Sequence, residues 1–199
     1  MKIYILRHED RTQDCTFFSP LTELGLHNSK KLVSILKENN INLIFSSPFI
    51  RTLQTVNAYL KTSNLKVNLE YGLCEIQHPD IIPPKSVGIE LPKYLAKHYN
   101  YNPEYTSFIK HDGLKYPEDS KGLQNRTIKL IRHIIEKYYK TDLNILLVTH
   151  QGLCNTILKI INKFSTNYKN KLGLEILNGY QKGKLCLIFD NDWTFKKLN

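Results

Sequence analysis

Ile3-Tyr4-Ile5-Leu6-Arg7-His8 is the stretch from which the fold is read. Four consecutive apolar residues make a short strand without polar alternation, the pattern of a strand buried on both faces in a parallel sheet. The run ends abruptly in a guanidinium and an imidazole. In open α/β sheets ligands bind beyond the carboxyl ends of the strands, so this pair stands where chemistry is usually done. A histidine there can be a nucleophile, and an arginine beside it can hold a phosphate through paired hydrogen bonds. Taken alone, Arg7-His8 fits an ordinary strand and polar loop equally well.

The same arrangement recurs along the chain. In Ser19-Pro20-Leu21-Thr22-Glu23-Leu24-Gly25, Thr22 is an N-cap with Glu23 in the positive first turn. Leu24, Leu32, Val33, Ile35 and Leu36 mark the buried face of a helix ending near Asn39-Asn40. Ile41 to Phe45 is a second strand, and Ser47-Pro48 caps and starts the next helix. Arg51 then falls in a first turn whose free N–H groups favour an anion. Lys66 to Leu69 is a third strand, which Gly72-Leu73-Cys74-Glu75 leaves as a loop. Ser120 caps a helix with a core stripe of Leu123, Leu130, Ile131, Ile134, Ile135 and Tyr138. Asn144 to Thr149 is the most strand-like run of all, delivering His150-Gln151-Gly152 to its end before a helix over Leu153 to Ile161. From Leu172 onwards, short strands are broken by turns at Asn178-Gly179, Lys182-Gly183 and Asn191-Asp192.

Between Gln77 and Pro117 the texture changes. Six of the eight prolines lie here, with Tyr94, Tyr99, Tyr101, Tyr105, Tyr116 and Phe108, and a short helix is expected near Leu91 to His98. A connection this long is usually functional. Residues 77–117 are read as an insertion or lid that sets substrate choice, within a single domain covering 1–199.

Composition bounds the rest. With 199 residues and 41% hydrophobic content, the chain can bury one core. Ile145-Leu146-Leu147-Val148 and Leu185 to Phe189 are strand-sized, so no transmembrane segment and no membrane partner are expected. Arg7 interrupts the first apolar run too early for a signal peptide. The four cysteines, Cys15, Cys74, Cys154 and Cys186, are scattered without CxxC spacing, which fits reduced thiols in the cytoplasm rather than a disulfide framework or zinc site. The net charge of +10 favours anionic partners. Residues 159–199 carry eight lysines against Glu175, Asp190 and Asp192. No nucleic-acid motif accompanies them, so they are read as a solvated face and nucleic acid is not an expected partner.

Three strand ends thus offer Arg7-His8, Arg51 and His150, a set suited to a dianion, with Glu75 the nearby acid. The chain resembles the histidine phosphatase superfamily, the phosphoglycerate mutase-like proteins. The resemblance rests on Leu6-Arg7-His8, on Ser19 to Gly25, on Ser47-Pro48-Phe49-Ile50-Arg51-Thr52-Leu53-Gln54-Thr55 and on Val148-Thr149-His150, all in order. Arg11, Ser47-Pro48-Phe49, Gly72 to Glu75 and Asn178-Gly179-Tyr180 look most like the eukaryotic branch related to the suppressor-of-T-cell-receptor-signalling phosphatases. Two positions depart from the family pattern: Glu9 and Gln151 stand where glycine is usual. Pro117-Glu118-Asp119-Ser120 only approximates a usual Gly-Glu-Ser.

The resemblance implies a three-layer α/β fold with a mostly parallel central sheet, helices on both faces and a lid. It implies a metal-independent phosphomonoesterase with no cofactor. His8 would become phosphohistidine, with Arg7, Arg51, His150 and Arg11 holding the phosphoryl oxygens and Glu75 as the acid and base. The substrate would be a phosphorylated small molecule or phosphoprotein. His27, His78, His98, His111 and His133 are read as structural or exposed. A phosphoglycerate mutase and a non-catalytic phosphate-binding or scaffold protein are the alternatives.

Overall fold

The structure is a computed structural model that describes residues 1–164, 180–190 and 196–197. Its six-stranded sheet runs in the order β3-β2-β4-β1-β5-β6. The strands are β1 (Lys2–Arg7), β2 (Leu43–Ser46), β3 (Val67–Leu69), β4 (Asn144–Thr149), β5 (Leu185–Asp190) and β6 (Lys196–Lys197). The first four are mutually parallel; β5 pairs antiparallel with β1, and β6 with β5. The helices are α1 (Glu23–Glu38), α2 (Ile50–Ser63), α3 (Lys93–Ala96), α4 (Ser120–Tyr138) and α5 (Gln151–Phe164). This is the α/β, mostly parallel architecture the sequence implies.

Strand period 2 divides the core in two. Tyr4, Leu6, Ile44, Leu146 and Val148 point to one face, where Leu32 and Leu36 of α1 and Leu53 and Val56 of α2 cover them. Ile3, Ile5, Phe45, Ile145 and Leu147 point to the other, under Leu130 and Ile134 of α4 and Leu153 and Ile157 of α5. Burial on both faces is why these strands read as continuous apolar runs.

Register then places the site. Arg7 is paired with Thr149, so His8 and His150 leave neighbouring strands at the same level. Ser46 is paired with both Val148 and Leu69, which brings Ser47 and the segment after β3 to that same edge.

Element boundaries differ from expectation where side chains found tertiary partners. Thr22 caps α1 by accepting from Gly25 N, as expected. Leu24, however, is 60% exposed, because Gly25 and Ser29 take the inward positions at that end. A Cβ on Gly25 would lie 2.1 Å from the Asp10 carbonyl oxygen, so only glycine permits this approach. Helix α2 begins two residues later than Ser47-Pro48 predicts, with Phe49 as N-cap. Ser47 is diverted: its Oγ lies 2.9 Å from His150 Nε2. Asp119, not Ser120, caps α4, accepting from Gly122 N at 2.7 Å. The Lys182-Gly183 turn is present. The turns at Asn178-Gly179 and Asn191-Asp192 lie outside the described residues, as does much of the lysine-rich 159–199 stretch.

The connection from β3 to α4 folds back on its own start. It holds α3 and short 3-10 turns at Tyr71–Leu73, Pro84–Ser86, Lys97–Tyr99 and His111–Gly113. The buried Glu70 carboxylate gathers it, accepting from Gly72 N, Phe108 N, Ile109 N and Tyr105 Oη. Among the described residues, no helix is long and apolar enough to cross a membrane.

Candidate active site

His8 follows the last residue of β1 and is buried, with Nδ1 2.7 Å from the Glu9 carbonyl oxygen. That contact turns the other ring nitrogen, Nε2, away from the backbone; it makes no hydrogen bond among the described residues. Arg7 donates from Nη1 to the Tyr180 carbonyl. Arg51, in the first turn of α2, is only 2% exposed, donates to the Thr16 carbonyl at 2.8 Å and lies over the Phe49 ring at 4.4 Å. Arg11 donates to the Thr12 carbonyl at 2.5 Å and to Cys15 Sγ at 2.9 Å.

Glu75 is fixed from two sides. Its Oε2 accepts from Gly152 N at 3.1 Å, in the positive first turn of α5, and its Oε1 accepts from Ile76 N at 3.0 Å. A Cβ on Gly152 would lie 2.4 Å from Glu75 Oε1, so any larger residue there would displace the carboxylate.

These groups converge on a cleft of about 390 Å³ lined by Arg7, His8, Arg11, Arg51 and Glu75. His150 is the exception among the predicted residues. It is wholly buried and does not line the cleft, standing behind His8 with ring centroids 5.2 Å apart. Among the described residues, the buried side-chain nitrogens without a hydrogen-bond partner are Arg7 Nε, Arg51 Nε and His150 Nδ1.

Burial, then the Arg51 charge, holds the His8 imidazole well below the usual histidine range, although the Glu9 carbonyl partly opposes this. His150 is lowered in the same way by burial, Arg51 and His8. Burial and the neighbouring Arg11 bring Arg51 down to about 10, which leaves it cationic at neutral pH. The site therefore combines neutral imidazoles with guanidinium cations, a set suited to nucleophilic attack on an anionic phosphoryl group. Among the described residues, no group of three or more His, Cys, Asp or Glu is placed to hold a metal ion.

Sequence reasoning missed the support beneath Glu75. Arg126, buried on α4, donates to the Gly72 and Cys74 carbonyls at 2.8 and 2.9 Å and pairs with Glu118. The signal was its spacing: position 126 falls between Leu123 and Leu130 on the apolar stripe, where a charged residue needs a partner. Thr149 Oγ1 also donates to the Leu73 carbonyl at 2.6 Å. Ile76, Asp80, Ile81, Ile82, Gln151, Asn155 and Cys15 complete the cleft wall.

Two concerns from the sequence resolve differently. Glu9 turns away from the cleft and packs against Gly183, whose φ of +64° already favours glycine. Gln151, by contrast, does line the cleft. The tyrosines of 77–117 and Phe108 are not on its wall. Tyr101 and Tyr105 line a separate cavity of about 460 Å³ with Tyr71 and His111.

A family model described as histidine phosphatase superfamily (branch 1) matches residues 6–179. Among curated proteins, the chain is similar to the transcription factor tau 55 kDa subunit of Saccharomyces cerevisiae, with 31% identity over 138 residues. That alignment covers 66% of this chain but 31% of the relative, so the chain spans less than a third of that protein's length. Among solved structures, the Bombyx mori ecdysone phosphate phosphatase in complex with tungstate superposes with a TM-score of 0.74 at 15% identity, covering 98% of this chain and 91% of that one. A mycobacterial glucosyl-3-phosphoglycerate phosphatase in complex with VO3 gives 0.66 at 19% identity, covering 100% and 98%. A putative α-ribazole-5'-P phosphatase from Escherichia coli gives 0.62 at 16%, covering 100% and 96%. At these identities the likeness is one of fold.

Proposed function

The chain belongs to the histidine phosphatase superfamily (branch 1), and on that premise we propose that it hydrolyses phosphomonoesters through a phosphohistidine on His8. Membership alone supports phosphatase or phosphoryl-transfer activity. One observation carries the finer reading: His8 Nδ1 is tied to the Glu9 carbonyl, which frees Nε2 at a cleft lined by Arg7, Arg51 and Glu75.

In this mechanism, His8 attacks as the neutral imidazole, and Nε2 forms a bond to phosphorus as the ester oxygen leaves in line. Glu75, protonated, gives its proton to that oxygen. In the second step it takes a proton from the water that attacks phosphohistidine, releasing inorganic phosphate and restoring His8. Arg7, Arg51 and Arg11 hold the equatorial oxygens. The unpaired nitrogens on Arg7 and Arg51, both on the cleft wall, support this, since buried polar groups nearly always have partners and an anion would supply acceptors. If the Ser47 hydroxyl donates to His150 Nε2, then Nδ1 carries the ring proton and is the donor left over. Such a pocket stabilises the transition state by positioned charge, without a metal or cofactor in the reading. Residues 1–199 form one domain in this account, with 77–117 as its insertion.

A second reading, a phosphate-binding module without turnover, is favoured by the relative being a transcription factor subunit. Phosphate release from para-nitrophenyl phosphate, measured beside interconversion of phosphoglycerates, tests the proposal. Release without interconversion supports it. Phosphate binding with neither activity favours the module.

A further inference from the structure

Beyond the phosphate end, the cleft changes character. Three isoleucines, Ile76, Ile81 and Ile82, line it together, and Ile81 is 45% exposed. Of the six large apolar side chains exposed among the described residues, Ile81 is the one on the cleft wall. The polar groups beside them are the uncharged amides of Gln151 and Asn155 and the carboxylate of Asp80. Asn155 already accepts from Tyr180 N at 3.1 Å.

The charges of the wall fit one phosphoryl group. Among the described residues its cations are Arg7, Arg11 and Arg51, and its carboxylates are Glu75 and Asp80. The proposed mechanism engages all three guanidiniums on the transferred phosphoryl group. A second phosphate would be uncompensated. It would also meet Asp80, which directly precedes Ile81 and whose carboxylate lies 3.4 Å from His78 Nδ1.

We infer that the substrate is a phosphomonoester whose leaving group is apolar and carries no second anionic group, held by Ile76, Ile81 and Ile82. This rests on the phosphatase reading above. An exposed isoleucine on the wall gains by being covered, roughly in proportion to the apolar area removed from water. A bisphosphate, which a mutase must retain, fits this wall poorly.

The test compares primary alkyl esters, so that leaving-group acidity stays nearly constant: hexyl phosphate, glycerol 1-phosphate and hexane-1,6-diol bisphosphate. The expected kcat/KM for hexyl phosphate exceeds each of the others by about tenfold or more, the order expected from burying one or two methylenes. In Ile81→Asn, whose side chain is exposed enough to leave the fold intact, the preference over glycerol 1-phosphate should shrink towards unity. Equal rates for hexyl and glycerol esters, or a preference for the bisphosphate, would overturn the inference while leaving the phosphatase reading intact. An unchanged preference in Ile81→Asn would overturn the assignment to this wall. No hydrolysis of any ester, para-nitrophenyl phosphate included, overturns the phosphatase reading and the inference with it.

Discussion

Arg126 and Glu118 form a buried two-pronged ion pair, with Nε to Oε1 at 2.8 Å and Nη2 to Oε2 at 2.7 Å, beneath the turn that carries Glu75. The rest of the guanidinium holds the carbonyls of Gly72, Cys74 and Glu75. The carboxylate also accepts from Gln77 N at 3.1 Å. One pair therefore ties α4 to both sides of the proposed acid.

Removing one partner leaves the other charge buried and unpaired. Arg126→Met should cost about 3–5 kcal/mol. For a chain of this size that lowers the melting temperature by roughly 6–20 °C. Differential scanning calorimetry checks this, and a shift below a few degrees would mean the pair is dispensable. Glu118→Gln keeps the shape but replaces one acceptor oxygen with an NH2 donor and loses the charge; because Arg126 keeps its carbonyl partners, the loss should fall between wild type and Arg126→Met.

Glu75→Gln should lower turnover of an alkyl phosphate by about 10²–10⁴-fold, the usual contribution of a general acid or base. An ester with an acidic phenol as leaving group needs less protonation, so its first step should suffer less. Burst kinetics with para-nitrophenyl phosphate measures this directly. A burst followed by slow turnover is expected, because the same carboxylate activates water in the second step. Equal losses in both steps and both esters would argue that Glu75 only shapes the cleft.

Gly152→Ala places a methyl group where Glu75 Oε1 now lies, 2.4 Å away. The carboxylate must move by about an ångström, and misplacement on that scale can cost about 10²-fold in rate. Turnover of hexyl phosphate should therefore fall while inhibition by vanadate, which needs no proton, stays nearly constant. Loss of vanadate binding to the same extent would locate the damage in the phosphate end instead.

The two imidazoles set a pH dependence. Both are held below the ordinary histidine value of about 6.5. Above that pH neither folded nor unfolded chain binds these protons. As pH falls below it, the unfolded chain takes up protons that the folded chain refuses, so stability declines on acidification. Urea midpoints should fall between pH 7.5 and pH 5.5, and long-range proton–nitrogen spectra of the ligand-free protein should show both rings neutral at pH 6.5. A ring of His8 or His150 titrating at or above 6.5 would contradict the burial argument.

What was legible in the sequence divides along physical lines. Strands β1 and β4 and the residues at their ends were readable because burial on both faces leaves continuous apolar runs that stop at polar groups. Parallel register then brings those ends together almost automatically. Helix starts were less legible. Ser47 and Ser120 are good caps in isolation, but a histidine from β4 engages Ser47, and Asp119 offers a closer acceptor one residue before Ser120. Arg126 was not read as part of the site because its partner depends on how α4 docks under the 72–75 turn. The tyrosines of 77–117 carried a specificity role in the sequence reading. In the structure Glu70 and the β3 end gather that segment elsewhere, and the residues reaching the cleft are those just after Glu75.

The most direct test of the central claim is to trap the enzyme during turnover and locate the phosphoryl group. Wild-type protein quenched within one turnover of a labelled phosphomonoester should carry an acid-labile phosphoryl group on His8, found by peptide mass spectrometry, at the same level with and without EDTA. His8→Ala should fold normally, carry no label and release no phosphate. Label on another residue, or turnover that persists in His8→Ala, would contradict the account.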